Sequence, residues 1–324
     1  MAKSDSINKT ILGIVVPCYN EEEVLPLTRE QLINLLNDLT EKEKIHKDSF
    51  IAFVDDGSRD LTWKLISGYA DNDQRIKGVK LSRNFGHQSA LLAGLNSFMS
   101  KADCIVSIDA DLQDDVKVIE DMVDNFHNGF DLVYGVRKQR KTDTFFKRMT
   151  ALSFYKLMQW MGVDIVYNHA DYRLASKRVL LQLNNFSEVN LFLRGMFPLV
   201  GFPSTNVYYD RLERAAGESK YPLRKMMAFA FDGISSFSVK PLRLVTTIGF
   251  IIFFVSLIMA GYSLYSFLFL GTVPGWTSIT LPIYFMSGIQ ILCIGIIGEY
   301  LGKIYKEVKS RPKFIIETIE DNSK

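Results

Sequence analysis

The sequence predicts an α/β nucleotide-binding domain followed by a two-helix membrane hairpin, and three features carry that expectation. From Ile11 to Tyr134, short apolar runs alternate with segments of helical pattern, as strands and helices do in a parallel, two-sided sheet. Three of those runs give way to carboxylates, as a buried strand does where it emerges at the carboxyl edge of a sheet, the edge at which ligands bind. From Leu244 to Gly298 there is no Asp, Glu, Lys, Arg or His.

The strands expected are Ile11–Pro17, Phe50–Val54, Ile76–Leu81, Cys104–Asp109 and Leu132–Tyr134. Helices are expected from near Val24, over Thr62–Ala70, from Gln88 through Met99 and over Val116–Phe126. The first strand ends in Cys18-Tyr19-Asn20-Glu21, the second in Asp55-Asp56-Gly57-Ser58, the fourth in Asp109-Ala110-Asp111-Leu112-Gln113-Asp114. If Asp109 to Gln113 stay extended, Asp109, Asp111 and Gln113 share one face and offer oxygens to one hard divalent cation. Such a cation completes its shell with substrate phosphate, which points to a nucleotide-diphosphate donor. The competing reading makes these acids helix caps, with Asp114 or Asp115 capping the helix that follows and an acid or Ser58 capping Thr62–Ala70. Neither a Gly-x-Gly-x-x-Gly turn nor a Walker lysine loop is present, so dinucleotide and P-loop chemistry are disfavoured.

Composition narrows the class. With 38 Lys and Arg against 36 Asp and Glu, the 324 residues carry a net charge of +2, which excludes the basic field of a nucleic-acid binder. Cys18, Cys104 and Cys293 are odd in number and unpatterned, which points to a reducing compartment and away from disulfides or zinc. The apolar segments Leu244–Leu270 and Ile279–Gly298 reach the roughly 20 residues that cross a bilayer, longer than the core hairpin of a soluble protein usually runs. Lys240 and Arg243 precede them, Lys303, Lys306, Lys309, Arg311 and Lys313 follow, and the connecting turn with Trp276 carries no positive charge. Both ends are therefore expected in the cytoplasm, and Met1–Lys9, polar and without an apolar core, does not read as a signal peptide.

Four motifs, Val16-Pro17-Cys18-Tyr19-Asn20-Glu21, Val54-Asp55-Asp56-Gly57-Ser58, Ser82-Arg83-Asn84-Phe85-Gly86-His87-Gln88 and Asp109-Ala110-Asp111-Leu112-Gln113-Asp114, occur in an order and spacing that resembles the inverting family-two glycosyltransferases of GT-A fold. Within them the likeness is to the polyisoprenyl-phosphate glycosyltransferases. The resemblance implies that Pro17, Tyr19, Glu21, Asp55 and Asp56 hold the nucleoside, while Asp109, Asp111 and Gln113 hold Mg²⁺ or Mn²⁺ and the donor diphosphate. It assigns catalysis to Asp111, through the metal, and to Asp171 of Asp171-Tyr172-Arg173-Leu174 as base, the competing reading of Asp171 being a local ion pair with Arg173. Arg137 and Arg148 fall near the acceptor phosphate, and Arg214, Ser219 and Lys220 fall in a Gly-x-Ser-Lys-Tyr loop over the diphosphate site. Two positions depart from the family pattern: Asp115 stands where Pro is common, and Ala151 where a Ser is usual.

The expected organisation is a cytosolic catalytic domain over 1–221, an amphipathic juxtamembrane helix over 222–240, two transmembrane helices over 241–302 and a basic cytosolic tail over 303–324. An aromatic and basic segment around Phe145–Trp160 reads as interfacial, or as an ordinary amphipathic core helix. The activity implied is metal-dependent transfer of glucose or N-acetylglucosamine from a UDP-sugar to undecaprenyl phosphate by a membrane-bound, tetrameric enzyme. A processive polysaccharide synthase would share the first motifs but carries a Gln-x-x-Arg-Trp segment that is absent here, and a non-catalytic adaptor has no use for acids at three strand exits.

Overall fold

The computed structural model describes residues 10–137, 169–186, 188, 193–210, 240–269 and 275–322. The expected interfacial segment, with Arg148 and Ala151, the loop with Arg214, Ser219 and Lys220, and the juxtamembrane segment up to residue 239 lie outside the described residues. The chain forms two compact units, one of Met1–Tyr155, Asp164–Pro222 and Arg311–Lys324, the other of Lys156–Val163 and Leu223–Ser310.

The axis of the first unit is β1 (Leu12–Cys18). All seven of its residues are buried, because a parallel strand lies on each side, β2 (Phe50–Asp55) and β4 (Cys104–Ser107). With β3 (Ile76–Leu81), β5 (Leu132–Arg137), β6 (His169–Ser176), β7 (Ser204–Tyr209) and β8 (Ile316–Glu320) it makes an eight-stranded sheet in the order β7-β5-β6-β4-β1-β2-β3-β8. Side chains alternate between the two faces of a strand. Leu12, Ile14 and Val16 join one cluster with Leu25, Leu32 and Leu36 of α1 (Leu25–Glu41), Ile66 of α2 (Thr62–Asn72) and Ile119 and Met122 of α4 (Val118–His127). Val15 meets α3 (His87–Phe98), which lies so close that a Cβ on Gly94 would fall 2.5 Å from Val15 and 2.7 Å from Val54. That close packing fixes where the first residue of α3, His87, emerges.

The sheet is mixed, where a parallel one was expected. Strands β4, β1, β2 and β3 are parallel, and β5 runs parallel to β7, but β6 enters antiparallel between β4 and β5, and β8 pairs antiparallel with β3. Two short helices, α5 (Lys177–Asn184) and α6 (Leu193–Leu199), follow β6. Helix α4 starts at Val118, later than the pattern implied, because the Asp115 carboxylate first accepts the Lys117 N–H at 3.0 Å and closes a turn.

The second unit contains α7 (Lys240–Phe269) and α8 (Trp276–Lys309). Phe250, Ile258, Phe285, Ile291 and Ile294 on these helices are 62–70% exposed, an apolar surface that a water-soluble hairpin would bury. Among the described residues, Phe285–Lys309, of mean hydropathy 1.5, is long and apolar enough to cross a membrane.

Candidate active site

Strands β1, β2 and β4 deliver their carboxyl ends to one edge of the sheet, with Cys18 paired to Asp55 and Val15 to Ser107. The loops after β1 and β2 are laced together there. Asn20, at φ +55°, donates its N–H to Ser58 Oγ at 2.9 Å and accepts the Arg59 N–H on its side chain at 2.9 Å. The Glu21 N–H bonds Thr62 Oγ1 at 2.9 Å. Pro17 is buried within β1, whereas Tyr19 is 41% exposed at the rim, its ring available to a planar ligand. Asp55 is fully buried; its Oδ1 accepts the Ser58 N–H at 3.1 Å and its Oδ2 has no hydrogen-bond partner. Asp56 is also buried, and its two oxygens accept the N–H groups of Phe85 at 2.7 Å and Gly86 at 2.9 Å. Burial pushes both carboxyls up from their ordinary values, against these hydrogen bonds.

Past β4 the chain does not stay extended. The strand ends at Ser107, the backbone turns at Ala110 and Asp111, and Leu112 takes φ +53°. The shared face expected for Asp109, Asp111 and Gln113 therefore does not form: Asp109 and Asp111 remain half-buried at the edge, while Gln113 is 6% exposed beneath them. Asp114 is no helix cap either. Its Oδ1 accepts from Arg137 Nη2 at 2.9 Å and Nε at 3.1 Å and from the Tyr209 hydroxyl at 2.5 Å, and the Tyr172 hydroxyl bonds the Asp115 carbonyl at 2.9 Å. This buried polar knot braces the turn from behind and holds the ends of β5 and β7. Arg137, expected at an acceptor phosphate, thus sits against Asp114 with 23% of its side chain exposed.

Asp171 reaches the same edge from β6. Ser107 pairs with Arg173, and that register continued two residues sets Asp171 across from Asp109. The Asp171 carboxylate bonds Arg173 Nη2 at 2.5 Å, and Arg194 grips it from α6 through Nε at 3.2 Å and Nη2 at 3.0 Å. Burial alone would raise this carboxyl, but Arg194 and Arg173, with His87, outweigh it and hold it well below the usual carboxylate range. Asp109 goes the other way. Desolvation, with the charges of Asp171, Asp114 and Asp111 added and His87 opposing, pushes it up to about 6. Two carboxyls facing each other are thus set apart by what surrounds them.

Residues 13–183 match the glycosyl transferase family 2 domain, and residues 240–304 match the GtrB C-terminal hairpin. The chain belongs to glycosyl transferase family 2. Uncharacterized glycosyltransferase YkoT of Bacillus subtilis (strain 168) is 53% identical over 311 residues, 96% of this chain and 92% of that protein. The SfII prophage-derived bactoprenol glucosyl transferase of Shigella flexneri is 37% identical over 308 residues, 94% of this chain and 97% of that one. Among solved structures, glucosyl-3-phosphoglycerate synthase from Mycobacterium tuberculosis, in complex with Mn²⁺, UDP-glucose and phosphoglyceric acid, aligns at 18% identity with a TM-score of 0.45, over 72% of this chain and 80% of that one.

In this glycosyltransferase the sheet is of the GT-A type, and the resemblance seen in the four motifs holds. Pro17, Tyr19, Glu21, Asp55, Asp56, Asp109, Asp111 and Asp171 all lie on the strands and loops of one sheet edge. Arg194 and the Asp114–Arg137–Tyr209 knot were not legible in advance: Arg194 is one arginine in a short apolar helix, with no spacing to mark it. Among the described residues no group of three His, Cys, Asp or Glu side chains could hold a metal ion. Two carboxylates do suit Mg²⁺ or Mn²⁺, which bind one or two acids and take their remaining ligands from substrate phosphates and water. The raised Asp109 carboxyl, crowded by other acids, is the kind of charge a cation relieves, so Asp109 with Asp111 fits the metal.

Proposed function

We propose that this glycosyltransferase moves a hexosyl group, glucose first among candidates, from a UDP-sugar to undecaprenyl phosphate at the cytoplasmic face of the membrane, inverting the anomeric centre. The observation that carries this reading is the charge pairing of Asp171. A carboxylate gripped by two guanidiniums and held far below the usual range is a poor base for an alcohol. It suits an acceptor whose nucleophile is already an anion, and a phosphate monoester, with a second pKa near 6, is one at neutral pH. An acceptor carried in the bilayer agrees with the exposed apolar helices and with the bactoprenol glucosyl transferase relatives.

In this reading Tyr19, Glu21 and Asp55 receive the nucleoside, with Pro17 and Asp56 shaping its loops. Asp109 and Asp111 hold Mg²⁺ or Mn²⁺, whose chemistry is to offset the charge gathering on the departing UDP. By the family resemblance Arg214, Ser219 and Lys220 would serve the diphosphate, and Arg137 and Arg148 the acceptor phosphate. A phosphate oxygen attacks the sugar C1 as its bond to the diphosphate breaks, the pair of electrons leaving on UDP. Asp171 with Arg194 orients the incoming phosphate and takes no proton. Residues 241–302 would cross the membrane twice, with catalytic domain and both termini in the cytoplasm, in an assembly of four chains.

The test is transfer of labelled sugar from a panel of UDP- and GDP-sugars to a short-chain polyprenyl phosphate by the full-length protein in detergent. A single sugar on the lipid phosphate, lost in EDTA and restored by Mg²⁺ or Mn²⁺, is the expected result. Absence of lipid product with every donor, or a product that grows by repeated addition, overturns it.

A further inference from the structure

The Ser82–Gln88 motif has a geometry that its nucleotide-binding neighbours do not explain. Asp56 accepts the N–H groups of Phe85 and Gly86, and Gly86 takes φ +94° and ψ 152°, a conformation open essentially to glycine alone. The clamp delivers His87 as the first residue of α3 with its side chain 43% exposed, facing the acidic edge. His87 Nε2 lies 3.5 Å from Asp109 Oδ1 and 3.7 Å from Asp171 Oδ2. Next along, the Gln88 side-chain oxygen accepts the Leu193 N–H at 3.0 Å, and Arg194, the residue after Leu193, grips Asp171. Two dipeptides, His87-Gln88 and Leu193-Arg194, are therefore tied to each other and each brings one side chain to the Asp171 carboxylate.

From this geometry we propose that His87 is a positioning residue for sugar transfer: its imidazole spans Asp109 on the donor side and Asp171 on the acceptor side and fixes their separation. The inference rests on the function proposed above. The His87 ring nitrogen lies within 3.7 Å of two carboxylates, Asp109 in the loop after β4 and Asp171 on β6, so one side chain reaches both halves of the site. Misplacement of reacting groups by about 1 Å costs on the order of 100-fold in rate, so a spacer there acts on turnover more than on donor binding. Because His87 is well exposed, its loss leaves the core intact.

The test compares wild type, His87→Ala and His87→Gln as full-length proteins, measuring sugar transfer to polyprenyl phosphate, hydrolysis of UDP-sugar to water, and melting temperature. Expected for His87→Ala is a kcat for lipid transfer lowered about 10- to 100-fold, with KM for the UDP-sugar within about threefold of wild type and an unchanged melting temperature. His87→Gln, which keeps an N–H that can reach a carboxylate, should recover at least about fivefold of that loss. A His87→Ala protein with wild-type kcat, a loss confined to donor KM, or a glutamine variant no better than alanine overturns the role of His87 and leaves the proposed function standing. A wild type that hydrolyses UDP-sugar and never labels the lipid overturns the proposed function, and the His87 inference with it.

Discussion

Replacing Asp171 by Asn should damage the fold more than the chemistry. Arg173 is 1% exposed, and its guanidinium lies over the Phe197 ring at 4.4 Å with Asp171 as its ion-pair partner at 2.5 Å. Removing one member of a buried pair leaves the other charged and uncompensated, at a cost of about 3–5 kcal/mol. Asparagine still accepts one hydrogen bond, which places the expected loss near the lower end, about 3 kcal/mol; Arg194, 33% exposed, rehydrates and adds little. At roughly 2–4 °C per kcal/mol for a unit of this size, melting should fall by about 6–12 °C at pH 7.5. The sign with pH follows from the depressed carboxyl: its stabilisation is present above the ordinary carboxylate value of 3.8 and is lost as pH falls below it. The gap between wild type and variant should hold from pH 8 to about 5 and narrow only below about 4. Removing the stranded cation as well, in Asp171→Asn with Arg173→Met, should return more than half of the loss, because the penalty is the unpaired charge. A melting temperature within about 2 °C of wild type, or no recovery in the double variant, would refute the reasoning.

Three further outcomes are expected. Asp111→Asn should abolish lipid glycosylation, whereas Asp171→Asn, assayed well below its lowered melting temperature, should keep measurable transfer; equal and total loss in both would contradict an orienting role for Asp171. Gly94→Val should lower stability by about 1–3 kcal/mol in thermal melts, since even a Cβ there meets Val15 and Val54 at 2.5 and 2.7 Å. Asp321→Ala should be costly for a residue so near the chain end, by about 2–4 kcal/mol, because it bonds both Lys101 and the buried Lys77, whose side chain is 4% exposed.

How far the sequence carried depends on whether each element is held by local pattern or by distant partners. Strands β1, β2 and β4 were legible because burial on both faces writes a continuous apolar run, and the acids that follow them marked the site edge. Strand β6 was hidden, since His169–Ser176 places Asp171 and Arg173 at buried positions, which their mutual pairing and the distant Arg194 make tolerable. Strand β7 was hidden for the opposite reason: at the sheet edge it is mostly exposed and leaves no apolar run. The shared metal face was lost where the chain turns at Ala110 to Leu112. Alternation across Asp109, Asp111 and Gln113 presumes extended chain, and the left-handed Leu112 breaks it. No residue type announced that turn, because it is imposed from below by Asp114, Arg137 and Tyr209, which are up to 95 residues apart.

The C-terminal strand ties these observations together. The chain leaves the sheet after β7 at one edge and re-enters as β8 at the other, where Gly78 pairs with Glu320 and Lys80 with Thr318. Without β8, β3 would be an open edge carrying a buried lysine, a poor arrangement for a strand that ends at the site. With it, Asp321 neutralises Lys77, and the Ile315 carbonyl accepts the N–H of Ser82 at 3.0 Å. Ser82 opens the segment that Asp56 clamps at Phe85 and Gly86 and that ends in His87. The residues that follow the helical hairpin therefore anchor the start of the loop whose far end spans Asp109 and Asp171. A catalytic fragment ending before the hairpin would lack that anchor, so the hairpin's return strand is part of the site's own scaffold and more than a tether.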